Sequence, residues 1–470
     1  MRKLVRRDFM QLSVSSAVAG LVGGLVPAYA SYGRTTQSES SRDRVSVARL
    51  YLGKPDPHWP TPLLDLDSEI RRYEAEFQRQ AQQFADVDFA VDGLFSSPDQ
   101  VHAVRERLAD VDGILVIQLS IGTRDVLDAV LAAQKPTLLF AAPYSGHEWA
   151  AYGALGRENP RFDCILSSDF SQLAVAVRPF RAIHRLRTGR ILNITARDLP
   201  ADYVAAVARR FGTEIRKIDR ERVLRIYDSV PEAAAMKEAQ RWVAEAEAVV
   251  EPSTEEIIRS CRLALALEEL LREESAQVVS VDCYGTMFRQ LPAYPCIGFT
   301  RLNDRGRGGI CESDLQCAVT HLLIQGLCGK PGFISDPTLD ESSNAAILAH
   351  CLGSTRMDGP AGERHPYRLR SIMERQEGAV PQVRMRIGQR VTQLILVEAD
   401  ELRYFTGTIV DVPETIRGCR TKITVQVDGS VEHLWRNWTG GLHRQTCYGD
   451  LTADLRRFCR FKEIELVNEA

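Results

Sequence analysis

The chain has 470 residues, a formal net charge of −3, and 44% hydrophobic and 26% charged residues. That length accommodates roughly two or three domains with a large core, in proportions ordinary for a globular protein. Acids and bases nearly balance and no basic stripe stands out, which excludes a nucleic-acid footprint; beyond the N-terminus no segment is apolar enough to span a membrane.

The chain opens with "MRKLVRRDFMQLSVSSAVAGLVGGLVPAYA". A basic start, a mild Ala/Gly/Val stretch and the small-x-small ending Ala28-Tyr29-Ala30 predict a signal peptide over residues 1–30. Arg6-Arg7-Asp8-Phe9-Met10 is similar to the twin-arginine (Tat) export signature. The expectation is therefore a periplasmic or secreted protein with the Tat export machinery as a partner, and a cytoplasmic one if the signal is unused. A general secretory signal, or an uncleaved anchor, is the plainer alternative. The polar run that follows reads as a flexible linker over residues 31–46.

Alternating strands and helices come next. "RVSVARLYLG", "VDFAV", "GILVIQL" and "PTLLFAAP" read as strands, and "LDSEIRRYEAEFQRQAQQF", "SPDQVHAVRERLADV" and "TRDVLDAVLAA" as helices. This order predicts an N-terminal α/β domain over residues 47–158, with a parallel sheet covered on both faces. A second alternation, over residues 159–330, takes "FDCILSS", "GRILNIT", "TEIRKI" and "AQVVSVDC" as strands. Its strongest helix is "STEEIIRSCRLALALEELLREE", with Ser253 and Thr254 as caps and Glu256 close behind. From about Gln382 short alternating runs predict an antiparallel, β-rich C-terminal domain, taken over residues 331–470. The fold class is thus α/β: two doubly wound parallel-sheet domains followed by a β-rich one.

The 11 cysteines are an odd number without a C-x-x-C pair. Small core residues are the plain reading of most. Cys283, Cys311 and Cys351 cluster near the motifs below, yet their spacing matches no zinc-site pattern.

"RGGICESDLQCAVTHLLIQGL", Arg307 to Leu327, delivers a lone carboxylate, Glu312, just ahead of an amphipathic helix. One reading makes Glu312 a charge near the positive end of the helix dipole, with Glu312 or Ser313 near the cap and Gly308-Gly309 a simple turn. The other aims Glu312 at a ligand, with the glycines giving room for close approach. Each neighbour also has a plain reading. Asp336 before Pro337 suits a turn, His350 in "AILAHCLG" suits a buried histidine, and His443 after Gly440-Gly441 suits a loop.

Three stretches bear on the choice. "PCIGFTRLNDRGRGGICESDLQCAVTHLL", "KPGFISDPTLDESSNAAILAHC" and "GGLHRQTCYGD" resemble, in order, the metal-binding segments of L-fucose and L-arabinose isomerases, and most of all the shorter L-fucose isomerase-like branch. The resemblance runs from about Ala293 to His350 and around His443. It implies a metal set of Glu312, Asp336, His350 and His443, with Ser335 or Asp340 as competing alignments for Asp336. It further implies Glu312 and Asp336 as the acid–base pair of an aldose–ketose exchange, Mn²⁺ or another divalent cation as cofactor, and a homo-oligomer. Oxygen and imidazole ligands suit such an ion, which can chelate sugar oxygens and polarise a carbonyl. Arg301, Asp304, Arg305 and Trp438 are weaker candidates for binding a small-molecule carbohydrate, as is Trp435; surface-loop and core roles are their plain alternatives.

Three function classes follow. The first is a metal-dependent isomerase of a sugar or sugar derivative. The second is an epimerase or lyase acting on a modified sugar at the same site. The third is a non-catalytic periplasmic sugar-binding protein, which has no need of paired carboxylates at a metal.

Overall fold

The computed structural model describes residues 44–470. The expected signal peptide and residues 31–43 of the expected linker lie outside the described residues. The linker ends earlier than expected, because Val45 and Ser46 already pair in the first strand.

Val45–Leu52 lies between Val87–Phe95 and Gly113–Gln118, and Thr137–Ala141 and Phe162–Leu166 complete a five-stranded parallel sheet. Continuous apolar runs suit a sheet covered on both faces: all six residues of Gly113–Gln118 are buried. The boundary expected at residue 158 is corrected here. Phe162–Leu166 pairs with Thr137–Ala141 in the first sheet rather than opening the second. A βαβ alternation does not say where one sheet stops, because each unit looks like the next.

The second sheet is also parallel. Arg190–Ile194 lies between Glu214–Ile218 and Val278–Val281, and Gly308–Cys311 forms an edge beside Val278–Val281. The long helix Thr254–Glu273 starts as its sequence suggests. Ser253 Oγ accepts from Glu256 N at 3.2 Å while Glu256 Oε2 accepts from Ser253 N at 2.9 Å.

The C-terminal part is β-rich and mostly antiparallel. In order, Arg390–Val397, Arg444–Tyr448, Phe333–Asp340, Ala345–His350, Thr421–Val427 and Glu401–Asp411 pair side by side. Glu401–Asp411 then pairs back onto Arg390–Val397, which closes a six-stranded barrel and leaves few open edges. Glu465–Asn468 adds a parallel seventh strand. A small separate sheet joins Ala248–Val249 to Tyr367–Arg370, tying the middle unit to the last one. No helix among the described residues is long and apolar enough to cross a membrane.

One helix couples these parts. Leu315–Cys328 was expected to be amphipathic, yet 12 of its 14 residues are buried. It packs against the helix Arg178–Arg187 on one side and the barrel strand Arg390–Val397 on another. Two of its polar residues find partners outside the helix: Thr320 Oγ1 accepts from Leu396 N at 2.9 Å, and Gln325 Nε2 donates to Arg307 O at 2.8 Å. Middle unit and barrel consequently share one apolar core, including Leu322, Leu396, Cys447 and Phe458.

Candidate metal centre

Glu312 directly follows the edge strand Gly308–Cys311, at the C-terminal end of a parallel sheet, where ligands of such sheets collect. Glu312 and Ser313 both adopt left-handed conformations, with φ of 62° and 57°. Two consecutive non-glycine residues in that region cost of order 1–3 kcal/mol each and persist only when their surroundings hold them. Ser313 Oγ donates to Asn193 Oδ1 at 2.6 Å, and Ser313 N donates to Val281 O at 3.1 Å. Neither Glu312 nor Ser313 caps the following helix. That role belongs to Asp314, whose Oδ1 accepts from Cys317 N at 2.8 Å.

The glycines serve packing. A Cβ on Gly309 would meet Phe299 Cα at 2.4 Å, and one on Gly308 would meet Val278 Cγ2 at 2.7 Å. They let a helix and a neighbouring strand press against the edge strand. The expectation that they make room for metal and substrate is thereby corrected.

The other three residues come from the barrel. Ser335 pairs with Arg444, so the next rung of that antiparallel ladder sets Asp336 across from His443. His443 Nε2 stands 3.1 Å from Asp336 Oδ1. His350 ends the strand Ala345–His350. Its Nε2 is 3.6 Å from Glu312 Oε1, while His443 Nε2 is 3.9 Å from Glu312 Oε2. The two imidazoles meet edge to face, with centroids 5.4 Å apart. Ligand atoms of Glu312, His350 and His443 all lie within 4.8 Å of one another. Asp340, the competing alignment for Asp336, ends the strand Phe333–Asp340 away from this cluster, and its carboxylate accepts from Ser342 and Ser343 in the turn that follows.

Two further observations fit a cation at this point. Buried polar atoms are almost always partnered, yet His350 Nδ1 is buried without a hydrogen bond. His443 is also oriented from behind, with Nδ1 3.0 Å from Asp314 Oδ2. An imidazole held through one nitrogen by a carboxylate presents the other as a ligand. Burial disfavours charge on His443, but the hydrogen bonds to Asp314 and Asp336 outweigh it and raise its pKa to about 10. Asp336 is half-buried, which opposes its ionisation, yet contact with His443 and His350 keeps its carboxyl below the usual range. Asp314 is the functional candidate that sequence reasoning missed. An Asp directly before the apolar run is a helix-start signal, and it hid the second oxygen's use.

The weaker sugar-binding candidates are taken up elsewhere. Arg301 is buried and paired with Glu238 and, at 2.8 Å, with Glu268 Oε2; Arg305 pairs with Glu268 as well. Asp304 is buried, accepting from Ser354 Oγ at 2.7 Å, from Arg356 N at 2.9 Å and from Thr355 Oγ1. These three hold the helix Cys296–Asn303 and its end in place. Trp438 carries the Arg444 guanidinium 4.2 Å from its ring centroid and donates from Nε1 to Gly441 O at 3.0 Å. Trp435 Nε1 donates to Glu341 Oε1 at 2.7 Å. Sequence alone could not separate these roles, because a polar residue near a motif looks the same in an ion pair as in a binding loop.

A stability measurement checks the reassignment of Arg301. Arg301→Ala leaves Glu238 and Glu268 short of a buried partner, which costs about 3–5 kcal/mol. Denaturant unfolding is expected to show that loss. Ligand affinity of the still-folded fraction is expected to stay unchanged, and a selective loss of sugar binding would restore the binding role.

No family model matches the chain. It is 23% identical over 273 residues to a sulfoquinovose isomerase of Alkalicoccus urumqiensis, covering 55% of this chain and 58% of that protein. It is 30% identical over 91 residues to a sulfoquinovose isomerase of Clostridium sp. (strain MSTE9), covering 19% and 20%. The matched part spans less than two thirds of either relative. Both relatives are sugar isomerases by name, which agrees in class with the resemblance drawn from the motifs.

Proposed function

We propose that this protein is an aldose–ketose isomerase of a sugar or modified sugar, of the L-fucose isomerase-like kind. The convergence of Glu312, Asp336, His350 and His443 carries the reading, and the similarity to two sulfoquinovose isomerases supports the reaction class. It also makes a sulfonated hexose the first substrate to try.

Glu312, Asp336 and His443 would hold a divalent cation such as Mn²⁺, with His350 completing or backing the set. When bound, that ion would supply Lewis acidity toward a sugar carbonyl and its neighbouring hydroxyl. The remaining work falls to the chain. Isomerisation moves one proton between carbons 1 and 2 through an enediol. Glu312, with its side chain one third exposed, takes the proton from carbon 2 of the aldose and Asp336 serves as the second acid–base group. The strained backbone at Glu312 and Ser313 fixes the carboxylate's direction. Asp314 holds the tautomer and angle of His443. Homo-oligomeric assembly and Tat-dependent export are part of the proposal; the first rests on the family resemblance and the second on residues 1–30.

The test is a panel of aldoses, sulfoquinovose included, incubated with Mn²⁺-loaded protein and read by NMR. A ketose product supports the reading. Turnover to an epimer or to an eliminated product moves the assignment to the second function class. Binding without turnover on any substrate it binds returns it to a sugar-binding protein.

Asp314→Asn tests the support of His443. Asparagine is still a good helix cap, so the fold is expected to persist. Loss of the carboxylate behind the imidazole is expected to weaken Mn²⁺ binding about 10–100-fold. Titration calorimetry with MnCl₂ measures it, and wild-type affinity would reduce Asp314 to a cap alone.

A further inference from the structure

We propose that Cys351, Cys419 and Glu374 form a second cation site, one suited to a thiophilic divalent ion such as Zn²⁺. One Sγ from each cysteine and one carboxylate oxygen lie within 4.8 Å of one another. Ligands roughly 2.0–2.3 Å from a shared tetrahedral zinc ion sit roughly 3.3–3.8 Å from each other, so the set closes on an ion by a contraction of about 1 Å at most. The three residues come from widely separated segments, which is why no local spacing announces the site.

The backbone pre-arranges the thiols. His350 pairs with Thr421 across two antiparallel barrel strands. Cys351 directly follows the first strand and Cys419 lies two residues before the second, so both lie just past this rung at the same end of the strand pair. Cys419 Sγ lies 3.6 Å from Glu374 Oε1. Tyr284 closes one side: its hydroxyl donates to Glu374 Oε2 at 2.5 Å and stands 4.0 Å from Cys351 Sγ. Tyr284 Oη or water is placed to supply a fourth ligand.

Charge and access agree. A dithiolate–carboxylate set on a divalent ion carries one net negative charge, and Arg420 near Cys351 and Lys422 near Cys419 offset it. Glu374 is exposed, whereas Cys351 is buried, which gives a route in and a closed back. Soft thiolates select zinc over the manganese-like ions favoured by carboxylate and imidazole. Binding breaks two S–H bonds, forms two metal–sulfur bonds and releases two protons to solvent, with no change of oxidation state. This inference is independent of the proposed isomerase reaction.

Cobalt is the probe, because thiolate ligation gives it a charge-transfer absorption that oxygen and imidazole ligands do not. Reduced full-length protein titrated with Co²⁺ is expected to develop that band at one equivalent per chain. The band is expected to survive in His443→Ala, which removes a ligand of the first site, and to vanish in Cys419→Ser. Glu374→Gln provides a second variant that spares both thiols, and weaker cobalt binding is expected there. Zinc analysis of wild type and Cys419→Ser is expected to differ by one equivalent. A wild-type spectrum without the band overturns the site, as does a band that persists in Cys419→Ser. A Cys351–Cys419 disulfide in the protein as purified without reductant also overturns it.

Discussion

Glu312→Gln is expected to lower turnover about 10²–10⁴-fold while changing substrate affinity little. Glutamine keeps the shape and one carbonyl oxygen, so ligand geometry and the Asn193–Ser313 contact that fixes the turn are retained. It removes the only property that proton abstraction needs, a basic oxygen. A group that acts on the transition state rather than the bound sugar shows its loss in kcat. The assay is entry of solvent deuterium at carbon 2 of a recovered aldose, or at carbon 1 in the reverse direction. Wild type is expected to wash deuterium in during turnover, and the variant is expected to lose exchange and product together. Exchange at the wild-type rate in Glu312→Gln would make Glu312 a helix-end charge after all and move the base to Asp336.

His443→Ala is expected to abolish Mn²⁺ retention through gel filtration, and activity with it. His443 is central to the electrostatics: one nitrogen faces Asp314 at 3.0 Å, and the other faces Asp336 at 3.1 Å and Glu312 at 3.9 Å. Without the imidazole, three carboxylates face one another with one ligand fewer. The fall in metal affinity is expected to exceed the roughly 10–100-fold predicted for Asp314→Asn, since a direct ligand outweighs its outer support. Chelation of the wild-type protein is expected to silence it, and added Mn²⁺ is expected to restore it. Full activity after exhaustive chelation, or metal content in His443→Ala equal to wild type, would overturn the metal centre and leave the four residues as a hydrogen-bonded cluster.

Much of this protein was legible along the chain. Continuous apolar runs such as Gly113–Gln118 announce strands covered on both faces, and Ser253 with Glu256 announces a helix start, because both signals are local. The motif segments pointed to Glu312, Asp336, His350 and His443 as a set. What brings them together is tertiary: the end of a parallel strand supplies one, and a closed barrel supplies the others, Asp336 and His443 beside the Ser335–Arg444 rung and His350 from the neighbouring strand. Pairing between distant strands leaves no mark on either segment, so the sheet joined by Phe162–Leu166 could not be read from its own residues. The same reason hid the burial of Leu315–Cys328, whose polar face looks solvated until its partners across the core are known. It also hid the second role of Asp314, the packing role of Gly309 and the ion pairs of Arg301. Residue type and period determined which elements form and which side chains can do chemistry. Only the fold decided which of those side chains face a shared point and which neutralise one another in the core, because that depends on contacts between residues far apart in the chain.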